Sequence, residues 1–500
     1  MKILLEMRPA LDGYSGIPQE TRLLFRGLAD MPGMQVIGLL QSGNLVLESG
    51  LPLLRNGQID DRIAAHEQID RLSQVVVSLQ QGAASHRLEH LRKRLLKLTG
   101  PLAATVGAVL GRTEDLTGFR PDQFKDYVWR AMFAKTLPVE DLDLVTSQEH
   151  RVFRWPWSIM NALGVATGVL GRAVYPRLNT RGIDLMIAET PYPGRVAAGT
   201  RMVVRYHDAI PLLMPHTIKD RGHHRAMHYR ALRRNAADGA WFACVSEATR
   251  QDLVSVLPGI EDRTVTIPNM VSHHFQPAPS SATRVPEIIW SRKARQAPHA
   301  GGAEIAPSDL KDGRLKYLLM VATVEPRKNH QALVDAWELL RSSGHPDLNL
   351  VFVGGLGWDH ESILRRCAPW LQRGGLHLLS DVPAEDLRLL YQHAAVTVCP
   401  SFGEGFDFPG IEAMACGGVV AASDIRVHRD VYEEASVYFS AYSAAELAVA
   451  VAALLAPDAA QRRAQLAQRG SEVSARYRPA AVIPQWEAFL HRLGPGRAAP

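Results

Sequence analysis

Two glutamates, Glu404 and Glu412, stand eight positions apart near the C-terminal end of the chain, on either side of a glycine-containing loop. Pro409 suits the first turn of a helix, where its missing N–H leaves no hydrogen bond unmade, and Asp407 can cap the free amides there. A helix N-terminus offers backbone N–H groups and the positive end of the dipole, which favour a phosphate. Carboxylates flanking such a site can accept hydrogen bonds from sugar hydroxyls, so the segment predicts a nucleotide-sugar site.

A second group of charged residues lies in the loop 324–330, directly after the strand-like run 317–321. Ligands of open α/β sheets bind at the carboxyl ends of the strands, so this loop is placed to meet one. Arg327 can fork onto phosphate oxygens, and Lys328 can act as a point charge on a diphosphate. Such a turn alone is more often a solvated loop, but its place ahead of Glu404 in the same inferred sheet favours a binding role.

The elements that would position these residues alternate between strands and helices. The chain opens with a strand, a glycine loop that includes Gly16, a helix at about 18–28 and a second strand at 35–40, which is the opening of a Rossmann-like half. Further strands are predicted at 185–188, 202–206, 241–245, 264–267, 317–321, 348–353, 376–379, 396–399 and 419–422. This alternation predicts an α/β protein with parallel sheets covered on both faces.

The chain length exceeds a single core, so two domains are expected. The predicted first domain is 1–276, with a mostly helical insert at 42–178. The segment 277–314 is rich in Pro, Ala, Ser and Gly and is expected to be a linker or a mobile loop. The second domain is expected at 315–470, followed by C-terminal helices at 471–500.

The net charge of +5 is too small to argue for nucleic acid, but it fits an anionic ligand or an anionic membrane surface. The four cysteines form no CxxC pair and are expected to be reduced, buried thiols of a cytosolic protein. No run approaches the roughly 20 apolar residues that span a bilayer, so any membrane contact is expected to be peripheral. In 85–102, leucines recur at helical spacing opposite a basic side. This pattern suits an interfacial helix or, by default, a surface helix packed on its domain.

The two charged segments, in this order, resemble the C-terminal half of family 4 retaining glycosyltransferases, which have the GT-B fold. The resemblance extends to Pro400-Ser401 and to the runs 422–425 and 427–431, which flank the Glu404 loop. Weaker echoes occur in the first half, at 13–17, 207–208, 245–247 and 267–269. The likeness implies two Rossmann-like domains with the active site between them, and last helices, around 477–491, that cross back onto the first domain.

The resemblance also implies roles for individual residues. Glu412 matches the acid that binds the ribose hydroxyls, and Glu404 matches the acid that holds the transferred sugar. The backbone amides around Gly405 and Phe406 would hold the distal phosphate. His207 matches a first-domain histidine near the sugar.

Two further roles and two departures complete this likeness. Arg327 and Lys328 match the basic pair that neutralises the diphosphate leaving group, and Gly16 matches the glycine loop that approaches donor or acceptor. Many members have an arginine on a Gly-Arg turn where this chain has Ala322-Thr323, which leaves Arg327 as the substitute. Many also have glycine where this chain has Asp407. A carboxylate facing a diphosphate would repel it, so we expect Asp407 to cap the helix or to touch a sugar hydroxyl.

These features predict a cytoplasmic retaining glycosyltransferase that needs no metal or other cofactor. It would move a hexose or deoxyhexose from a nucleoside diphosphate sugar, first of all mannose from GDP-mannose, to a glycan or lipid-linked glycan acceptor. Surface polysaccharide synthesis at the inner membrane face, without nucleic acid, is the expected setting. Two alternatives stay open: another GT-B enzyme, such as a sugar-nucleotide epimerase or phosphorylase, and a non-catalytic membrane-associated scaffold. The histidines of 223–228 are expected to be solvated and not metal ligands.

Overall fold

The computed structural model describes residues 1–13, 16–80, 111–169, 171–296, 305 and 310–494. Apolar runs rich in β-branched residues form two separate sheets, each covered by helices. The first sheet has eight strands, parallel except at one edge, in the spatial order Thr264–Thr266, Trp241–Cys244, Arg201–Tyr206, Leu185–Ala188, Lys2–Glu6, Gln35–Leu40, His150–Val152 and Thr117–Phe119. The second has six parallel strands, in the order Leu376–Leu379, Asn349–Val353, Tyr317–Val321, Val396–Cys399, Val420–Ser423 and Ser436–Phe439. The predicted class, α/β with two parallel sheets, is confirmed.

Helices fill most of the connections between these strands, as is usual for parallel crossovers, whereas the connection 189–200 contains no helix. The described α-helices of the first domain are Ile17–Ala29, Ala65–Gln80, Lys125–Val128, Leu142–Thr146, Trp157–Gly168, Ile210–Leu213, Arg221–Ala237 and Glu247–Val256. Those that follow are Arg284–Gln296, His330–Ser342, Glu361–Arg373, Ala384–His393, Phe408–Ala415, Arg426–Tyr432, Ala444–Leu455, Ala460–Ala475 and Pro479–Arg492. Strands 185–188 and 317–321, among others, lie where the sequence predicts them.

The segment 42–178 contains strands as well as the predicted helices. His150–Val152 pairs in parallel with Gln35–Leu40, and Thr117–Phe119 pairs antiparallel with His150–Val152. This segment therefore completes one edge of the first sheet. The predicted amphipathic helix at 85–102 lies outside the described residues.

Part of the segment 277–314, for which the composition predicts a linker or a mobile loop, packs against the second domain. It contains the helix Arg284–Gln296, whose Val285, Ile288 and Ile289 are buried in the core of the second domain. Three apolar side chains at helical spacing are enough to hold the helix against the sheet, although polar residues and Pro286 hide the pattern in the sequence.

The last helix, Pro479–Arg492, packs on the first domain. Val482, Trp486 and Phe489 are buried there and join the core cluster built on the strand Lys2–Glu6. The chain thus returns to the first domain after completing the second.

All four cysteines are buried and unpaired. Among the described residues no single helix is both long and apolar enough for a membrane span, and one pair of helices, 444–455 and 457–492, satisfies length and composition only jointly, across a 72° bend.

Candidate functional site

A cleft of about 520 Å³ opens between the two domains, at the carboxyl ends of both sheets. His207 follows the strand Arg201–Tyr206 of one sheet, and the loop of Lys328 follows the strand Tyr317–Val321 of the other. Parallel strands converge at such an edge, so their following loops meet there. All nine sequence-predicted site residues line this cleft: Gly16, His207, Arg327, Lys328, Glu404, Gly405, Phe406, Asp407 and Glu412.

Glu404 lies between two cations. Its Oε2 is 2.7 Å from Arg327 Nη1, and its Oε1 accepts a hydrogen bond of 2.6 Å from Lys328 Nζ. Burial alone would raise the pKa of Glu404, but the charges of Arg327 and Lys328 bring it below its ordinary value. The side chain is therefore an ionised hydrogen-bond acceptor at neutral pH and not a proton donor.

Arg327 is fixed by three further contacts. Its Nη2 donates to Glu325 Oε1 at 2.9 Å, its Nη1 donates to the Gly403 carbonyl at 2.6 Å, and its own carbonyl accepts from the Phe402 amide at 3.0 Å. Burial would lower the pKa of Arg327, yet the carboxylates of Glu404 and Glu325 raise it instead. The guanidinium is thus a permanent, pre-oriented cation on the cleft wall.

Asp407 does not cap the helix that follows it, which corrects one of the two roles expected for it. The helix Phe408–Ala415 begins after Asp407, but the Asp407 side chain makes no capping hydrogen bond. Its Oδ2 instead accepts from Tyr432 Oη at 2.7 Å and lies 3.1 Å from His428 Nε2. Its backbone sits in the left-handed region at φ 65°, where aspartate is among the better tolerated residues. The N-terminal end of the helix is left free of a side-chain cap.

Glu412 is buried in the same helix and faces the first domain. Its Oε2 accepts from Tyr391 Oη at 3.0 Å, and its Oε1 accepts from Gln19 Nε2 at 3.4 Å. Burial raises the pKa of Glu412 to about 7. Gln19 belongs to the helix Ile17–Ala29, so this contact joins the two domains.

His207 is buried next to a further acid, Glu189, which belongs to none of the sequence motifs. Its Nε2 is 3.5 Å from Glu189 Oε2. Burial lowers the pKa of His207 to about 4 and raises that of Glu189 to about 8. Both side chains are therefore mainly neutral at pH 7. A charged residue placed directly after the buried strand Leu185–Ala188 is the signal that identifies Glu189.

The two domains meet at Gly405. Its carbonyl accepts hydrogen bonds from Ser246 Oγ at 2.7 Å and Thr249 Oγ1 at 3.0 Å. A Cβ built on Gly405 would lie 1.8 Å from the His207 carbonyl oxygen, so a side chain here would push the domains apart. Ser246 lies in one of the weaker first-half echoes, but its partner in the second domain is not visible in the sequence.

Gly16 stands at the start of the helix Ile17–Ala29 with φ 72°, a conformation that favours glycine. It brings the first-domain backbone to the cleft wall opposite the Glu404 loop. Within the described part of the chain, no group of three or more His, Cys, Asp or Glu side chains is arranged to hold a metal ion.

Residues 303–473, which include the Arg327 and Glu404 segments, match the protein family described as "Glycosyl transferases group 1". The O-antigen chain mannosyltransferase B of Escherichia coli is 38% identical over 109 residues, which are 22% of this chain and 29% of that protein. The serotype-specific mannosyltransferase WbdA of Escherichia coli is 36% identical over 140 residues, 28% of this chain and 17% of that protein. The alignment thus spans less than a third of either relative's length.

The solved structure of sucrose-phosphate synthase from Thermosynechococcus elongatus aligns over 98% of this chain and 98% of its own, with a TM-score of 0.55 and 17% identity. The predicted two-domain GT-B fold is therefore confirmed.

Proposed function

We propose that this protein is a retaining glycosyltransferase that moves a sugar from a nucleoside diphosphate sugar to a hydroxyl of a glycan acceptor. The observation that carries the proposal is the position of Glu404 between Arg327 and Lys328 in a cleft that Glu412 also lines. The matching family and the mannosyltransferase relatives support the reaction class.

The charged groups that line the cleft have distinct tasks in this proposal. Arg327 and Lys328, with the positive end of the helix Phe408–Ala415, stabilise the negative charge that grows on the departing diphosphate. Glu412 accepts hydrogen bonds from the ribose hydroxyls. Glu404 accepts hydrogen bonds from the hydroxyls of the transferred sugar, and its two cations keep it ionised for that purpose.

The configuration of the sugar is proposed to be kept by transfer on the face that the diphosphate leaves. The ion-paired Glu404 is poorly placed to act as a nucleophile, because both of its oxygens are held by cations. The leaving phosphate then takes the proton from the acceptor hydroxyl. His207, neutral because burial lowers its pKa to about 4, offers a hydrogen bond to the sugar without adding charge.

Mannose from GDP-mannose is the proposed first donor, because two relatives that are 38% and 36% identical over the aligned residues are named as mannosyltransferases. A lipid-linked glycan at the cytoplasmic face of the membrane is the proposed acceptor, in keeping with the O-antigen chain that names one relative. No metal or other cofactor is required in this scheme, since the two basic side chains take the place of a cation on the diphosphate. The proposal gives the enzyme no nucleic-acid partner.

Thermal stability measured with GDP, UDP and dTDP tests the donor site. The proposal expects one nucleotide to raise the melting temperature by several degrees, because a ligand at about 100 times its Kd stabilises by about 2.7 kcal/mol. No shift with any nucleotide contradicts the proposal. Mass spectrometry of products from a sugar donor panel and a bacterial lipid extract then identifies donor and acceptor. Addition of EDTA is expected to leave the product yield unchanged.

A further inference from the structure

A buried histidine contacts Asp407 and has a hydrogen-bond pattern that indicates its charge. His428 is fully buried in the helix Arg426–Tyr432. Its Nδ1 is 2.8 Å from the Ser423 carbonyl and 3.1 Å from Ser423 Oγ. Ser423 Oγ donates its own proton to the Ser401 carbonyl at 2.6 Å, so it can only accept from His428. Nδ1 therefore carries a proton.

The other ring nitrogen faces a carboxylate. His428 Nε2 is 3.1 Å from Asp407 Oδ2, which also accepts from Tyr432 Oη. Asp407 Oδ1 lies 3.8 Å from Lys328 Nζ, which favours the ionised acid. An ionised carboxylate is only an acceptor, so Nε2 also carries a proton. The Tyr432 ring stacks on the imidazole, with centroids 5.0 Å apart and planes at 12°, an arrangement that suits a cation.

We propose that His428 is a buried imidazolium that neutralises Asp407 and thereby keeps the diphosphate end of the cleft from becoming negative. His428 is a positioning residue, since it acts through Asp407 and does not line the cleft. The expected effect of His428 on nucleotide binding rests on the proposed function. The protonation state of His428 does not.

The charges around the site explain why a third cation is needed. Glu325, Glu404 and Asp407 are three carboxylates near two cations, Arg327 and Lys328. Without His428 the cluster holds an excess negative charge where a diphosphate is to bind. Tyr432 and Cys399 also face Asp407, and burial raises the pKa of both. These two groups therefore add no charge at neutral pH.

The protonation state is tested on the unsubstituted chain. Nitrogen NMR of ¹⁵N-histidine-labelled protein at pH 7.5, where an ordinary histidine is mostly neutral, is expected to show one buried histidine with both ring nitrogens protonated. His428→Gln, or His428→Asn if the first does not fold, assigns that signal. A bare ring nitrogen on His428 overturns the proposal. Neutron diffraction from crystals of the unsubstituted protein decides the same point without any variant.

The effect on the nucleotide is tested by charge compensation, with GDP, UDP and dTDP as probes. His428→Gln is expected to weaken the nucleotide that binds best by about tenfold or more, as loss of an interaction with a charged group does. Asp407→Asn combined with His428→Gln removes one charge of each sign and is expected to recover most of that affinity. Asparagine tolerates the positive φ of position 407, so the double variant keeps the backbone.

His377→Gln is the matched control, because His377 is also a buried histidine of the second domain but lies in the edge strand Leu376–Leu379, where its Nε2 is 3.0 Å from Asn349 Oδ1. It is expected to leave nucleotide affinity unchanged. A double variant as weak as His428→Gln alone, or a His428→Gln protein with full affinity, overturns the role given to the charge. If the unsubstituted protein binds none of the nucleotides, the proposed function fails, while the NMR result still decides the state of His428.

Discussion

Glu404 holds the two basic side chains of the cleft in place. It ties Arg327 and Lys328 together at 2.7 and 2.6 Å and so fixes both cations while remaining ionised itself. A carboxylate so placed is suited to accepting hydrogen bonds and unsuited to moving a proton. Its removal should therefore affect the chemical step and the binding of nucleotide differently.

Glu404→Ala is expected to lower the rate of sugar transfer by about a hundredfold or more, the usual scale for loss of a pre-oriented polar group at a reaction centre. Binding of GDP should be no weaker, because Arg327 and Lys328 are released for the diphosphate. Initial rates and calorimetric titration measure the two effects. Glu385→Ala, a change at an exposed glutamate of the same domain, should alter neither. A Glu404→Ala protein that transfers sugar at the full rate rules out the assigned role.

The raised pKa of Glu412 predicts that the free energy of unfolding depends on pH. Burial raises its pKa from 4.5 to about 7, so the folded state holds the proton more tightly than the unfolded chain. Its stabilising contribution is present below pH 4.5 and is lost as the pH rises to about 7. Relative to Glu412→Gln, the free energy of unfolding of the unsubstituted protein should fall by up to roughly 3 kcal/mol across that window. Urea unfolding at several pH values measures the difference, and parallel profiles for the two proteins would disprove it.

At the scale of elements, the loop 403–407 of the second domain lies in direct contact with the first domain. Ser246 and Thr249, at the start of a first-domain helix, both donate to the Gly405 carbonyl. The missing side chain of Gly405 is what allows the His207 carbonyl to approach. The loop therefore determines how closely the two domains can come together around the cleft.

Gly405→Ala is expected to reduce sugar transfer by about a hundredfold, because a misplacement of about 1 Å can have that effect. The melting temperature should change little, since each domain keeps its own core. Gly222→Ala is the control: a Cβ there meets nothing within 4 Å, and it should transfer sugar normally. Normal transfer by Gly405→Ala would show that the close contact is dispensable.

The sequence predicts the strands and loops of a single sheet well. It predicts poorly the contacts that form between the two domains. The run Tyr317–Val321 is apolar, so the sequence alone predicts both this buried strand and the position of the basic loop after it. Lys328 and Glu404 then meet because loops after parallel strands share one edge. The hydrogen bond from Gln19 to Glu412 depends on how the two domains are oriented. No local sequence pattern predicts that orientation. The partner of Asp407, His428, lies 21 positions away, so the sequence suggests a helix cap and does not show the contact that Asp407 makes instead.

At the scale of the whole molecule, the helix Pro479–Arg492, which follows the second domain, packs into the core of the first. Trp486 is fully buried in the first-domain core, and the Arg205 guanidinium lies 5.3 Å from its ring centre. Arg205 in turn pairs with Glu20 at 2.9 Å inside the same domain. The stability of the first domain is therefore coupled to residues that follow the second.

Trp486→Ala is expected to lower the free energy of unfolding by about 3–5 kcal/mol, the usual cost of emptying a large aromatic site. Gln485→Ala, at an exposed neighbour on the same helix, should change it by less than about 0.5 kcal/mol. Urea unfolding followed by tryptophan fluorescence and by circular dichroism measures both. Equal stability of the two variants would mean that the helix is not part of the first-domain core.

The burial of Trp486 also bears on how the protein is made. The ribosome releases the strand Thr264–Thr266 more than two hundred residues before it releases Trp486, which has to join the same domain. Part of the apolar core of the first domain therefore stays exposed while the second domain is being synthesised. Chaperones that bind exposed apolar surface are expected to hold it during this interval. Ribosomes stalled near residue 478 should carry a protease-sensitive first domain, and release of the remaining residues should make it resistant.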